Sequence, residues 1–209
     1  AGHGTKGGEK LRTLCHPDGT RKVTGGTNAA GVTTALAVSS GMTFKDGTKE
    51  ATVTLEMGHI FAKKLLQAGY DVLLIRDGED VQLDNVARTV LANNKADAHI
   101  ALHWDATEKD KGAFFMSVPD ALKRMEPVAS HWESHEKLGE SLISGLKGKG
   151  VKIFSKGSMD MDLTQTSYST VPSVDIELGD KVSDNSEKQL NLLGDALVDG
   201  VNKYYGFAS

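Results

Sequence analysis

The chain has 209 residues, 39% hydrophobic and 25% charged, with a net charge of −4. That length supports one domain that buries over half its unfolded surface without disulfides or a structural metal, and the mild acidity excludes the basic footprint of a nucleic-acid binder. No run approaches the ~20 apolar residues of a membrane span. The sole cysteine, Cys15, cannot form an internal disulfide, so cysteine usage does not choose a compartment. No signal peptide is present, and a mature chain would have lost one.

Residues 4–49 read as one long irregular segment rich in Gly and Thr, a length that inside a compact domain is often functional. Within it "AGVTTALAVSSGMTF" has the composition of a hairpin or short strands without a defined register. Helical periodicity starts at Glu50. Val53, Met57, Ile60, Phe61 and Leu65 share a face, and Gly69 supplies the stop. "YDVLLI", residues 70–75, reads as a buried strand and "RDGED" as a turn. A second helix is expected over 81–95, burying Leu83, Val86, Val90 and Leu91. A strand over 97–103, a charged loop "TEKDKG" and a strand "AFFMSV" follow. Next comes a long helix over 127–147 carrying Trp132, Leu138, Leu142 and Leu146. The chain closes with a short strand "VKIF", a polar loop "SKGSMDMDLTQTSYST", a strand "VPSVDIE" and a helix over 186–205. Strands alternating with helices predict a single α/β domain, a three-layer sandwich with a mostly parallel twisted sheet between helices.

In such sheets ligands gather at the carboxyl ends of the strands. "DAHIALHWDA" delivers His103 and Asp105 to such an end, and Glu177 closes "VPSVDIE". A carboxylate ending an apolar strand is costly to bury without a task or a partner. Two metal sites compete among the seven histidines. "HWESHE" places His131 and His135 at i and i+4, a metal-ligand spacing. The helical zinc-protease pattern, however, needs Glu directly after the first His, where this chain has Trp132. His131 and His135 also continue the apolar face of Leu138 and Leu142, so packed or surface-edge histidines are the better reading. The other site draws His3, Glu50 and His103 from distant segments. Each alone is weak: a His in "GHG" is often a turn residue, a Glu opening a helix is usually a dipole-favoured carboxylate, and a strand-end His is commonly a satisfied one. Together they make two imidazoles and a carboxylate, the donor set of a catalytic zinc hydrolase.

Here the sequence resembles the zinc-dependent N-acetylmuramoyl-L-alanine amidases of the type-3 class. That family has a strand leading into Gly-His-Gly, a Glu opening a helix, a strand ending in a Ser-Ile-His-x-Asn-like stretch, and a late strand ending in a Pro-x-x-x-x-Glu-x-Gly-like stretch. The chain carries "AGHG" at 1–4, "KEATVTLEMGHIFAKKLLQAGYDVLLIRD" from 49, "VARTVLANNKADAHIALHWDA" from 86 and "VPSVDIELGD" from 171. The resemblance implies that His3, Glu50 and His103 hold one zinc ion and that Glu177 is the catalytic carboxylate. Glu56 competes with Glu50, but the spacing from Glu50 to "AGYDV" fits the family better. Arg88 matches an arginine usual in the second helix, with a structural role. The family's first strand is expected ahead of residue 1, and residues 9–49 form a longer insertion than usual. Asp105 stands where Asn is common, Trp104 where a small residue is common, and Asp180 where an aromatic is frequent.

The implied reaction is hydrolysis of the amide between N-acetylmuramic acid and L-alanine in peptidoglycan, with Glu177 as general base and then acid. Asp105 is a candidate to orient His103 or a group of the substrate. Trp104 is a packing residue or a face for a sugar ring, with packing favoured. The insertion and the "SMDMDLTQTSYST" loop are candidate groove walls. By resemblance the chain is an extracellular or cell-wall monomer acting on the glycan-peptide polymer, as autolysin, sporulation or germination enzyme, or phage lysin. Rival readings are a zinc exopeptidase, which needs ligands for a second metal, a non-catalytic wall-binding or activator module, and a plain α/β domain with accidental motifs.

Overall fold

The computed structural model describes residues 1–4, 11–78 and 83–207. Two short strands come first, β1 (Arg12–Leu14) and β2 (Thr34–Leu36), paired antiparallel with Thr13 opposite Ala35. Helices α1 (Glu50–Gln67) and α2 (Asn85–Lys95) precede strands β3 (His99–Asp105) and β4 (Ala113–Ser117). Helix α3 (Val128–Gly148), strand β5 (Ile153–Asp160), the single turn α4 (Thr164–Tyr168), strand β6 (Ser173–Asp180) and helix α5 (Glu187–Tyr205) complete the chain.

The central sheet has the order β3-β6-β4-β5. Pairs β3–β6 and β4–β5 are parallel, while β4–β6 is antiparallel, so the sheet is mixed with parallel pairing predominant. Alternation along the strands sorts its two faces. Leu102 and Trp104 of β3, Phe115 of β4, and Val174, Ile176 and Leu178 of β6 enter one core with α1, α3 and α5. Ala101, His103, Asp105, Asp175, Glu177 and Met116 occupy the opposite set of positions and line a cleft.

The helices form where their apolar residues recur at helical spacing. On α1 that stripe is Val53, Met57 and Phe61, and the helix ends two residues before Gly69, whose φ of 89° continues no helix. On α3 it is Leu138, Leu142 and Leu146, all wholly buried and each worth about 1.5–3 kcal/mol of apolar burial. Ser186 caps α5 by accepting from Gln189 N–H, and Gly206 in the left-handed region ends it.

Residues 70–75 are not the predicted strand. They run outside any ladder, and Leu73 is half exposed. A strand exists only when its backbone is paired, and among the described residues the edge of β3 away from β6 takes one backbone–backbone bond, Gly2 N–H to Leu102 O at 3.2 Å, and none from residues 70–75. Helix α2 also buries a different face from the one expected, with Arg88, Thr89 and Ala92 inside and Val90 exposed. The strand expected at "VKIF" continues to Asp160, and the polar loop after it folds partly into α4. The end of the "RDGED" turn, the predicted helix start at 81–82 and the first two residues of the 9–49 insertion lie outside the described residues.

Candidate metal centre and catalytic cleft

Three donor atoms from distant segments meet above the carboxyl end of β3. His3 Nε2 lies 2.8 Å from Glu50 Oε1 and 2.9 Å from His103 Nδ1, and His103 Nδ1 lies 3.3 Å from Glu50 Oε1. The imidazoles stand edge to face with centroids 4.5 Å apart. Among the described residues this is the one group of three or more His, Cys, Asp or Glu donors lying within 4.8 Å of one another.

Local backbone delivers each donor. His3 adopts a left-handed conformation with φ 59°, uncommon for a residue with a side chain and characteristic of strained functional positions. Two buried arginines hold that turn. Arg88 donates to the carbonyls of Ala1, His3 and Leu83, and Arg76 donates to those of Gly2, Ala51 and Gly78 and to Thr54 Oγ1. The Arg88 contacts match its expected structural role; Arg76 lies where the sequence has the look of an ordinary strand-to-turn junction, and no local pattern marks it. A side chain at residue 2 would put a Cβ 2.1 Å from His103 Cε1, so the close approach of this turn to the imidazole demands Gly2.

Glu50 opens α1, where the helix dipole favours a carboxylate. Its Oε1 accepts from Trp104 N–H at 3.0 Å and its Oε2 from Met42 N–H at 2.8 Å, which fixes the rotamer. Burial alone would raise its carboxyl, but hydrogen bonds from His103 and His3 outweigh that and hold it well below the usual carboxylate range. Burial and the neighbouring His103 push His3 down. Burial also works against a charged His103, yet Asp175, Glu50 and Glu177 together raise it to about 9. Two facing imidazole nitrogens beside a carboxylate are a natural cation seat. The set of two nitrogens and one oxygen is that of a catalytic zinc site, so the donors present fit this metal.

Glu177 sits on β6 directly opposite His103 in the parallel register. Its Oε2 is buried and has no hydrogen-bond partner among the described residues. Burial, then Asp175, Glu50 and Asp105, raise its carboxyl well above the ordinary value, with His103 opposing. The cleft holding these groups runs from the donor cluster between the insertion (Lys22, Thr27, Ser39) and the β5–α4 segment (Met159, Met161, Gln165), part of a continuous cavity of about 1380 Å³ that extends along residues 68–75 to Tyr205 and Phe207.

Other sequence candidates separate here. Glu56 is exposed, nearly two turns into α1 and away from the cluster. Asp105 does not orient His103; its Oδ2 takes Lys111 Nζ at 2.7 Å. Trp104 is 2% exposed and packs edge to face on Phe44, leaving little ring for a sugar. His135 is a core residue whose Nδ1 accepts from Ser173 N–H at 3.0 Å. Asp180 is wholly buried and gathers the backbone N–H groups of Lys111, Gly112 and Val182, tying the β3–β4 loop to the end of β6.

The profile of the N-acetylmuramoyl-L-alanine amidase family matches residues 1–202. No curated protein sequence matches the chain. Among solved structures, the N-acetylmuramyl-L-alanine amidase Ami1 of Mycobacterium smegmatis superposes with a TM-score of 0.77 at 18% identity, covering 98% of this chain and 94% of its own. Ami1 of Mycobacterium abscessus gives 0.71 at 19%, with 98% and 95% covered. The amidase AmiC2 of Nostoc punctiforme gives 0.65 at 21%, with 80% and 90% covered. At these identities the likeness to the three structures is one of fold.

Proposed function

The chain belongs to the type-3 N-acetylmuramoyl-L-alanine amidases, peptidoglycan hydrolases, and on that footing we propose how it works. One zinc ion is held by His3, Glu50 and His103, and Glu177 carries the proton. The observation behind this reading is the convergence of His3 Nε2, Glu50 Oε1 and His103 Nδ1 beside a carboxylate with an unengaged oxygen. The bond cut joins the lactyl group of N-acetylmuramic acid to L-alanine.

An amide carbonyl is a poor electrophile and water a poor nucleophile. Zinc bound at this cluster would supply Lewis acidity, polarising the carbonyl and lowering the pKa of water from about 15.7 toward about 7. Glu177 accepts the proton of the attacking water and passes it to the departing alanine nitrogen, base first and acid second, worth about 10²–10⁴-fold. Burial and the neighbouring carboxyls pull Glu177 upward, which suits it to hold the proton between the two steps. Ser39 O, 3.0 Å from His3 Nδ1, takes that ring's N–H and leaves Nε2 free to ligate. Residues 1–209 act as the catalytic domain. The 9–49 insertion and the β5–α4 segment wall the cleft in which a glycan-peptide strand lies. The chain works as a monomer on the wall, outside the cytoplasmic membrane. No helix among the described residues is long and apolar enough to cross a bilayer.

The test is digestion of purified sacculi with and without a chelator, followed by identification of the new amino termini. The expected product is free L-alanine termini, lost with chelator and restored by zinc. Glu177→Gln should keep zinc and melt like the parent while losing at least a hundredfold in rate. Binding to sacculi without turnover would favour a non-catalytic wall-binding module. Cleavage only of free peptides would favour an exopeptidase.

A further inference from the structure

We infer that Asp175 is a positioning residue that receives the outer N–H of His103 and so aims the ring's other nitrogen at the metal. This rests on the zinc reading above and concerns a carboxylate to which neither the motifs nor the mechanism gives a role.

The two imidazoles of the cluster are treated alike. His3 presents Nε2 to the other donors, and its Nδ1 lies 3.0 Å from the carbonyl of Ser39. A carbonyl only accepts, so His3 carries its proton on Nδ1. His103 is turned the other way round. Its Nδ1 faces His3 and Glu50, and its Nε2 lies 3.6 Å from Asp175 Oδ2. A carboxylate at that edge selects the tautomer with the proton on Nε2 and leaves the Nδ1 lone pair for a cation. A ligand histidine whose second nitrogen donates to a carboxylate is also fixed in orientation and made more basic.

The strand explains how the carboxylate arrives. Residues 175 and 177 of β6 lie two apart and share the cleft face, while Val174 and Ile176, alternating with them, enter the core. Strand β6 therefore carries two acids toward the same site, opposite Ala101 and His103 in the register of β3. Among the described residues Asp175 makes no side-chain hydrogen bond and no ion pair besides this 3.6 Å contact, and its side chain is 16% exposed. A carboxylate so placed costs desolvation that an apolar side chain at residue 175 would avoid. Its position is a stability cost with its return at the ligand ring.

That cost gives the test two readouts of opposite sign. The measurements are zinc affinity by competition with a chromophoric chelator and melting of the metal-free protein. The proteins compared are the parent, Asp175→Val, Asp175→Asn and His103→Ala. The parent should bind one zinc and His103→Ala none. Asp175→Val should bind zinc about 10–100-fold more weakly, yet melt no lower than the parent without metal. Asp175→Asn keeps the shape and a neutral acceptor, stands in if the valine variant does not fold, and should lose zinc affinity severalfold. In nitrogen-15 imidazole spectra of the zinc-loaded parent, the His103 proton should sit on Nε2. If either aspartate variant folds and binds zinc like the parent while His103→Ala loses it, the role of Asp175 is overturned and the zinc reading stands. A His103 proton on Nδ1 would have the same consequence. A parent that binds no zinc overturns both.

Discussion

A methyl group added to Gly41 would lie 2.8 Å from both Glu50 Oε2 and His3 Cδ2. Neither neighbour has freedom to yield, since Glu50 is pinned by the backbone N–H groups of Met42 and Trp104 and His3 by Ser39 and Arg88. Gly41 also has a φ of 79°, which costs a side chain about 1 kcal/mol whatever the space. Gly31 has a φ of 83° with nothing near its missing Cβ, and so isolates the backbone cost. Gly31→Ala and Gly41→Ala should therefore lose similar small amounts of backbone stability. Only Gly41→Ala should weaken zinc binding, by tenfold or more, as read by chelator competition. Equal zinc affinity in the two variants would show that the donor cluster tolerates crowding.

One buried carboxylate gathers residues 16–24 of the β1–β2 insertion onto the body. Asp162, between β5 and α4, accepts from His16 Nε2 at 2.9 Å and from Val23 N–H at 2.7 Å, while its own N–H donates to Thr24 Oγ1 and its carbonyl accepts from Lys22 Nζ. His16 and Asp162 are both wholly buried. Removing one member of such a pair leaves the other desolvated and unpaired, a loss of about 3–5 kcal/mol. Because the contacts of residues 16–24 concentrate on Asp162, that loss should appear as local release of this part of the insertion ahead of global unfolding. Asp162→Ala should speed tryptic cleavage at Arg21 and Lys22 and raise amide exchange in β1 and β2, with slow exchange retained in α3. Unchanged cleavage would mean that the insertion is held elsewhere. Since Lys22 and Met161 both line the cleft, the same variant should raise KM for peptidoglycan more than it lowers kcat.

Across the whole molecule, buried histidines set how it responds to acid. Burial, with the positive charge of Arg88, pushes His99 down to about 4, and burial beside His131 does the same to His135. Both rings are neutral in the folded protein, while in the unfolded chain they take a proton near 6.5. Their contribution is thus complete above about pH 6.5 and lost as pH falls toward about 4, on the order of 3 kcal/mol for each. His103, raised to about 9, works at the other end: its contribution is complete below 6.5 and lost as pH rises through 9. The raised carboxyls of Asp175 and Glu177 oppose the acid loss, so the informative comparison is between variants at each pH. His99→Leu should gain on the parent steadily between pH 6.5 and pH 4 in metal-free melting curves. Parallel curves over that window would exclude His99 from the acid response.

Periodicity and strand-end chemistry are local, and much follows from them. The stripe Val53, Met57, Phe61 and the run Leu138, Leu142, Leu146 mark α1 and α3 without reference to any other segment, because helix formation and its apolar face depend on residues three and four apart. Glu50 as the first residue of a helix, and His103 and Glu177 toward the carboxyl ends of strands, are legible for the same reason. Pairing and juxtaposition are not local. Residues 70–75 have the composition of a strand and pair with no neighbour, Asp105 turns to Lys111, and His16 finds Asp162 across 146 positions. Asp175 reads in isolation as a polar interruption of an apolar strand, and only its register beside His103 shows what its carboxylate faces. The sequence by itself determined the elements and the chemical types at their ends. The tertiary structure alone decided which of those ends meet, because contacts between distant segments depend on chain closure and packing that no local pattern encodes.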